Sequence, residues 1–383
     1  MGVDNLQYGS DKVAFFVAES AAFTPEVPAA ANAVRVTDFS FGQPVGRQVV
    51  PDRKGTRSRM ERGALRQPVV PWSLSGILRP SDAAGTAPDM GDILKHGFGT
   101  ETVSGGVSVT YSFLKDMTAL TASIYGGLSP FQQGVYGAVV QNLGLNWSGD
   151  DAVQWTASGV GANVIRAGTT LANGAGASAT ALIVDDADFY TKGALISIGG
   201  DDNSGAGYQV TAVNHTTQTL TIAPAATWDD NDAVTAFLPA GTYAGNPLYT
   251  PTGSISFDNG SSSTREISGS LTVNTGIDLL NNEHGSSEAT DVILTGMREV
   301  DMSLDFYVKE DETYLMGEWR RKVSQDIIKT LGDTAGSRLK INMNTAEIDP
   351  GDVTQSDDSA ARFSANIIAL GSSGEDECTI VFD

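Results

Sequence analysis

Apolar and polar residues alternate with a period of two along most of the chain, most clearly over 135–159. Val139, Leu143, Leu145 and Trp147 fall on one side of an extended backbone, and Val140, Asn142, Gly144 and Asn146 on the other, as in a half-buried strand. Ser148, Gly149, Asp150 and Asp151 supply turn residues, and Val153 and Trp155 then resume the apolar side. The stretch predicts a β-hairpin with one face in a core.

The same pattern predicts strands over 12–18, 33–41, 69–78, 107–113 and 120–126 before this hairpin. After it come 254–258, 266–273, 292–308, 338–343, 361–370 and 377–382. Two segments read as helices. PDMGDILKHGF, 88–98, puts Met90, Leu94 and Phe98 on one face. From Asp311, a candidate N-cap, Leu315, Trp319, Val323, Ile327 and Leu331 recur every four residues, with Gly332 as a stop. This second segment predicts the one strong helix, lying across a sheet face.

Between residues 162 and 238 the text changes to Gly, Ala and Thr with short β-rich runs at 179–184, 194–198, 208–213 and 217–222. The chain thus divides into 1–161, an inserted small β domain over 162–238, and 239–383. The insertion carries Asp185, Asp186, Asp188, Asp201, Asp202, Asp229, Asp230 and Asp232 against only Arg166 and Lys192. These aspartates lack the EF-hand spacing and its closing glutamate, so they read as turn formers.

Composition sharpens the class. With 43 Gly, a hydrophobic fraction of 40% and turn signals throughout, 383 residues describe a globular all-β protein. Lys and Arg total 24 against 46 Asp and Glu, a net charge of -22, which argues against a basic face that grips phosphates. One nucleic-acid role stays open: a wall that repels DNA and lets it pass. The local exception is 42–66, where Arg47, Arg53, Lys54, Arg57, Arg59, Arg62 and Arg66 stand against Asp52 and Glu61. This basic stretch reads as a long loop or hairpin tip, an interaction arm for an acidic patch on another copy of the chain.

Candidate chemistry is sparse. His96, His215 and His284 show no metal-ligand spacing, and each reads as a surface residue. Cys378 is the only cysteine and reads as a small buried hydrophobe. GxSxG, Walker A and HExxH strings are absent, and the pairs Gly159 with Gly161 and Gly174 with Gly176 lack a βαβ context. No catalytic, cofactor-binding or metal residue is therefore assigned, and the chain does not read as an enzyme. Trp147, Trp155 and Trp319 read as core anchors. The sequence shows no membrane span and no signal-peptide pattern, so a soluble, unexported protein without membrane insertion is expected.

Taken in order, KVAFFVAES, the basic loop, DMGDILKHGFG, GVYGAVVQNLGLNWSGDDAVQWTASGVG, ISFDN, REISGSLTVNTG, GMREVDMSLDFYV and EDECTIVFD resemble the major tail tube protein of long-tailed, non-contractile (siphovirus-type) bacteriophages. The resemblance implies a β-sandwich or barrel with one flanking helix, whose strands join those of neighbours in a closed ring barrel. It implies hexameric rings stacked into a hollow tube through which phage DNA passes, with a tail-tip initiator and a tape measure protein as assembly partners. The protein would be made in the host bacterial cytoplasm and end in the virion tail. The inserted domain looks like a small β-sandwich or immunoglobulin-like module on the outside of the tube. Two alternatives remain: a tube protein of a phage-derived injection or gene-transfer particle, and a carbohydrate-binding, adhesin-like β protein.

Overall fold

The computed structural model describes residues 12–42, 69–128, 131–257, 262–284, 286, 288–309, 317, 319–321, 324–356 and 359–383. The hairpin expected over 135–159 is the 18-residue strand Phe131–Ser148 paired antiparallel with Gln154–Gly161. Leu145 lies opposite Trp155 and Leu143 opposite Ala157, all four buried. The register slips between Val140 and Asn142, and that bulge corrects the expected faces. Val140 joins Leu143, Leu145 and Trp147 in the main core, whereas Val139 turns to a separate cluster with Ile277 and Val292.

This hairpin sits in the middle of a broad antiparallel sheet. Across it, the strands run Asp38–Phe41, Val70–Ile77, Gln154–Gly161, Phe131–Ser148, Glu266–Asn274, Glu299–Tyr307, Ser359–Ala369 and Leu339–Ser356. Two of these strands continue into a second layer. The first part of Phe131–Ser148 pairs with Ala122–Leu128 and Asn163–Ala167, and the first part of Leu339–Ser356 pairs with Gln325–Leu331 and Thr379–Phe382. Apolar residues at alternate positions of both layers, among them Trp155, Phe306, Ile341 and Ile380, meet in one core. The protein is mostly β, and its sheets are not closed barrels.

The same arrangement occurs twice. In the first half, Val13–Ala18 pairs with Ala33–Val34 and with Ala122–Leu128; in the second, Gly253–Phe257 pairs with Ser262–Thr264 and with Gln325–Leu331. Asp38–Phe41, Val70–Ile77, Gln154–Gly161 and Phe131–Ser148 stand in the order taken up again by Glu266–Asn274, Glu299–Tyr307, Ser359–Ala369 and Leu339–Ser356. Even the irregularities agree. Ala138 and Val135 pair with Ala122 and Ile124 across a one-residue slip, and Ala346 and Met343 pair with Gln325 and Ile327 across an equal one. Phe131–Ser148 and Leu339–Ser356 are both 18 residues long. Each half is thus a four-stranded piece of the broad sheet with its own backing layer, and the two are zipped together by Phe131–Ser148 against Glu266–Asn274.

Several expectations need correction. The short helix is present as Gly91–Phe98, with Met90, Leu94 and Phe98 buried as expected. The longer helix does not extend to Leu331: Gln325–Leu331 is a strand with Gln325, Ile327, Lys329 and Leu331 buried in alternation. A spacing of four satisfies a period of two as well as one of 3.6, which is why the pattern misled. Segment 33–41 is divided into Ala33–Val34 and Asp38–Phe41, and 292–308 into Asp291–Leu294 and Glu299–Tyr307. Gly99–Ser104, unexpected from sequence, pairs with Ser108–Phe113 as a hairpin that extends the second layer beside Thr379–Phe382.

Within the inserted segment, Thr169–Leu171, Ala233–Ala236, Leu195–Ile198, Tyr208–Asn214, Thr219–Trp228 and Gly176–Ile183 form one six-stranded sheet. It curls until Ala172 bridges Val184, rather than forming the two facing sheets of a sandwich. Its core, with Leu182, Ile196, Val210, Leu220 and Val234, runs on into Phe15 and Tyr125 of the main body and into Ile165, which lies within the expected 162–238 but belongs to the strand Asn163–Ala167 paired with Phe131–Ser148. Gln132 fastens the seam, donating from Nε2 to the Phe237 carbonyl and accepting from the Leu195 amide.

Candidate functional site

The surface that the fold builds most deliberately is the outer face of the broad sheet. Alternation puts Trp72, Leu74, Trp155, Leu145, Leu271, Met302, Leu304, Phe363 and Ile367 inward, so the neighbouring positions face water. Those positions are Ser40, Ser73, Thr156, Asn142, Asn146, Thr272, Asn366 and similar short polar residues. Asp38, Asp301, Asp305, Glu347 and Asp349 share the face, with Arg362 held over the Tyr307 ring. A shallow depression among Ser270, Thr272, Asp301, Ser303, Asp349 and Asn366 lies in its second half.

Among the described residues, both lateral edges of this sheet are open. Asp38–Phe41 pairs only with Val70–Ile77, and the 347–356 part of Leu339–Ser356 pairs only with Ser359–Ala369. Pro350 and Gly351 interrupt the second edge at a register shift, a feature tolerated at a sheet margin because proline has no N–H to donate. Apolar side chains are exposed beside it: Val353, Ile368 and Leu370. At the first edge Lys12 pairs with Asp38 at 2.5 Å.

The seven basic residues of the proposed arm, Arg47, Arg53, Lys54, Arg57, Arg59, Arg62 and Arg66, lie outside the described residues. Trp147 and Trp155 are both buried, one on each strand of the hairpin, and Trp319 is buried among Phe257, Phe306 and Phe363. Comparison with known protein families and with curated proteins found no match for this chain.

Titratable groups elsewhere serve the fold. His96 is buried, correcting its expected surface position. Its ring nitrogens contact the carbonyls of Asp92 at 2.7 Å and Thr121 at 3.3 Å, Phe16 packs edge-on, and burial lowers its pKa. His215 and His284 are exposed. Cys378 is buried, as expected, and burial pushes its thiol up. Lys329 and Glu266 form an ion pair buried beneath Trp147. Glu19 accepts bonds from the Gly137 and Phe23 amides and from the hydroxyls of Thr121 and Ser123. Burial raises its pKa against the pull of those donors.

The aspartates of the insertion hold turns: Asp186 accepts from the Asp188 amide, Asp201 from Asn203, Asp202 from Gly205 and Asp232 from Asp229. Among the described residues, no three His, Cys, Asp or Glu side chains converge as a metal site. Gly159 has a packing reason, since a Cβ there would fall 1.9 Å from the Val139 carbonyl.

Proposed function

We propose that this chain is a structural tail tube protein that polymerises as stacked rings into a hollow tube for the passage of phage DNA. The observation carrying this reading is the broad sheet with a polar, mainly acidic outer face and two unlike open edges. Joining one edge to the other edge of the next copy is a head-to-tail contact, and such contacts close into rings when the rotation permits. Ring closure removes both edges and turns the acidic face into a continuous wall. A wall of Asp, Glu, Ser, Thr and Asn, in which the carboxylates outnumber Arg362, repels phosphates on balance, so a duplex slides along it.

The basic segment 42–66 is proposed to join neighbouring rings, its charge matched to the acidic remainder of the chain. The six-stranded insertion, sharing its core with the second-layer strands, is proposed to decorate the outer side. A tail-tip initiator and a tape measure protein are proposed as assembly partners and the virion tail as the destination.

Sedimentation velocity over a range of protein and salt concentrations tests the reading. Large species that grow with concentration are expected; a monomer at every condition, with or without a seeding tail tip, would overturn it.

A further inference from the structure

The two halves meet inside one chain in a way that specifies how two chains meet. Across the internal seam Leu145 lies opposite Leu271 and Asn146 opposite Ser270. Each of these residues has a counterpart at the sheet's open edges. Val353 pairs with Phe363 as Leu145 pairs with Trp155, and Thr354 pairs with Arg362 as Asn146 pairs with Gln154. On the other side, Phe41 pairs with Trp72 as Leu271 pairs with Met302, and Ser40 pairs with Ser73 as Ser270 pairs with Ser303. The edge at 347–356 therefore has the form of the first half's seam strand, and Asp38–Phe41 that of the second half's.

Burial supports the same conclusion. Leu145, covered by the second half, is 1% exposed, whereas its counterpart Val353 is 46% exposed. Ala162 lies under the hairpin of Ile277–Leu280 and Asp291–Leu294 and is 2% exposed. At the matching end of the second half, Ile368 and Leu370 are 48% and 37% exposed. The second half lacks the cover that the first half receives from it.

Resting on the tube reading, we propose that the edge 347–356 pairs with Asp38–Phe41 of a second copy in the register of the internal seam, and that three chains close a ring of six half-chain units, in place of the six chains that the resemblance implies. The eight strands alternate in direction, so the first and last are opposed. A rotated copy then meets its neighbour antiparallel, as the internal seam does. Val353 is covered by Phe41 of the second copy, and Thr354 faces its Ser40. Width agrees with three. Eight strands at about 4.8 Å spacing span roughly 38 Å, so three chains enclose a backbone cylinder roughly 37 Å across and six one about twice as wide. The narrower cylinder suits a single duplex.

The test is disulfide trapping in the full chain. Ser40→Cys with Thr354→Cys should link neighbouring chains under mild oxidation, giving dimers and closed trimers on a non-reducing gel and no longer ladder. Ser270→Cys with Asn146→Cys should form its bond within one chain and so calibrates the geometry. Val353→Asp should leave thermal unfolding in place yet reduce assembly at least tenfold. Rings that form without the Ser40–Thr354 link overturn the junction while leaving the tube reading intact. A ladder reaching six overturns the count of three. Absence of both rings and links overturns the junction and the tube reading together.

Discussion

Ala138 and Ala346 occupy the same position in two strands of equal length, each buried next to an identical slip in register. Little room exists for a larger side chain at either place. Replacing either alanine by leucine should cost about 1–3 kcal/mol through overpacking. Chemical denaturation checks this, and similar penalties at the two sites are expected because their surroundings match.

Trp319, the only tryptophan in residues 239–383, should be costly to lose. It packs against Phe257, Phe306 and Phe363 at centroid distances of 5.5, 6.0 and 5.9 Å. Trp319→Ala should destabilise by about 3–5 kcal/mol in denaturant melts.

The Lys329–Glu266 pair predicts strong coupling. Its side chains are 2% and 10% exposed, so removing one partner leaves the other charge buried. Lys329→Met alone should cost about 3–5 kcal/mol, and Lys329→Met with Glu266→Leu should recover most of that. A double-mutant cycle that shows additive losses would contradict the buried pair.

Glu19 gives a pH dependence. Its folded pKa is raised, so the folded state binds this proton more tightly than the unfolded state. Its contribution to stability is greatest below the ordinary glutamate range and declines as pH rises from there through the raised value. Glu19→Gln should abolish that slope. It should also cost about 1–3 kcal/mol, because an amide NH2 would confront backbone and hydroxyl donors. Stability curves of the two proteins across acidic pH check both effects.

Much of the architecture is legible in the sequence because a strand with one dry face must alternate. Val70–Ile77, Glu299–Tyr307 and the central hairpin were readable for that reason. The 325–331 end of the longer helix pattern was not, since a spacing of four fits two periods at once. His96 was misplaced because burial of a polar ring depends on carbonyls from Asp92 and Thr121, the latter distant in sequence. The twofold repetition was hidden more deeply. FQQGVYGAVVQNLGLNWS and LKINMNTAEIDPGDVTQS hold corresponding strands, yet they share little beyond small or apolar residues at buried positions. Pairing and register preserve what side-chain identity does not. The edge residues Ser40, Val353 and Thr354 carried no sequence signal, because an open edge is defined by the strand that is absent beside it.

Electron microscopy of the assembled protein viewed end-on tests the central claim most directly. The account predicts hollow rings with a central channel wide enough for one duplex, stacked into tubes in side view. Solid particles or isolated monomers under all assembly conditions would contradict it.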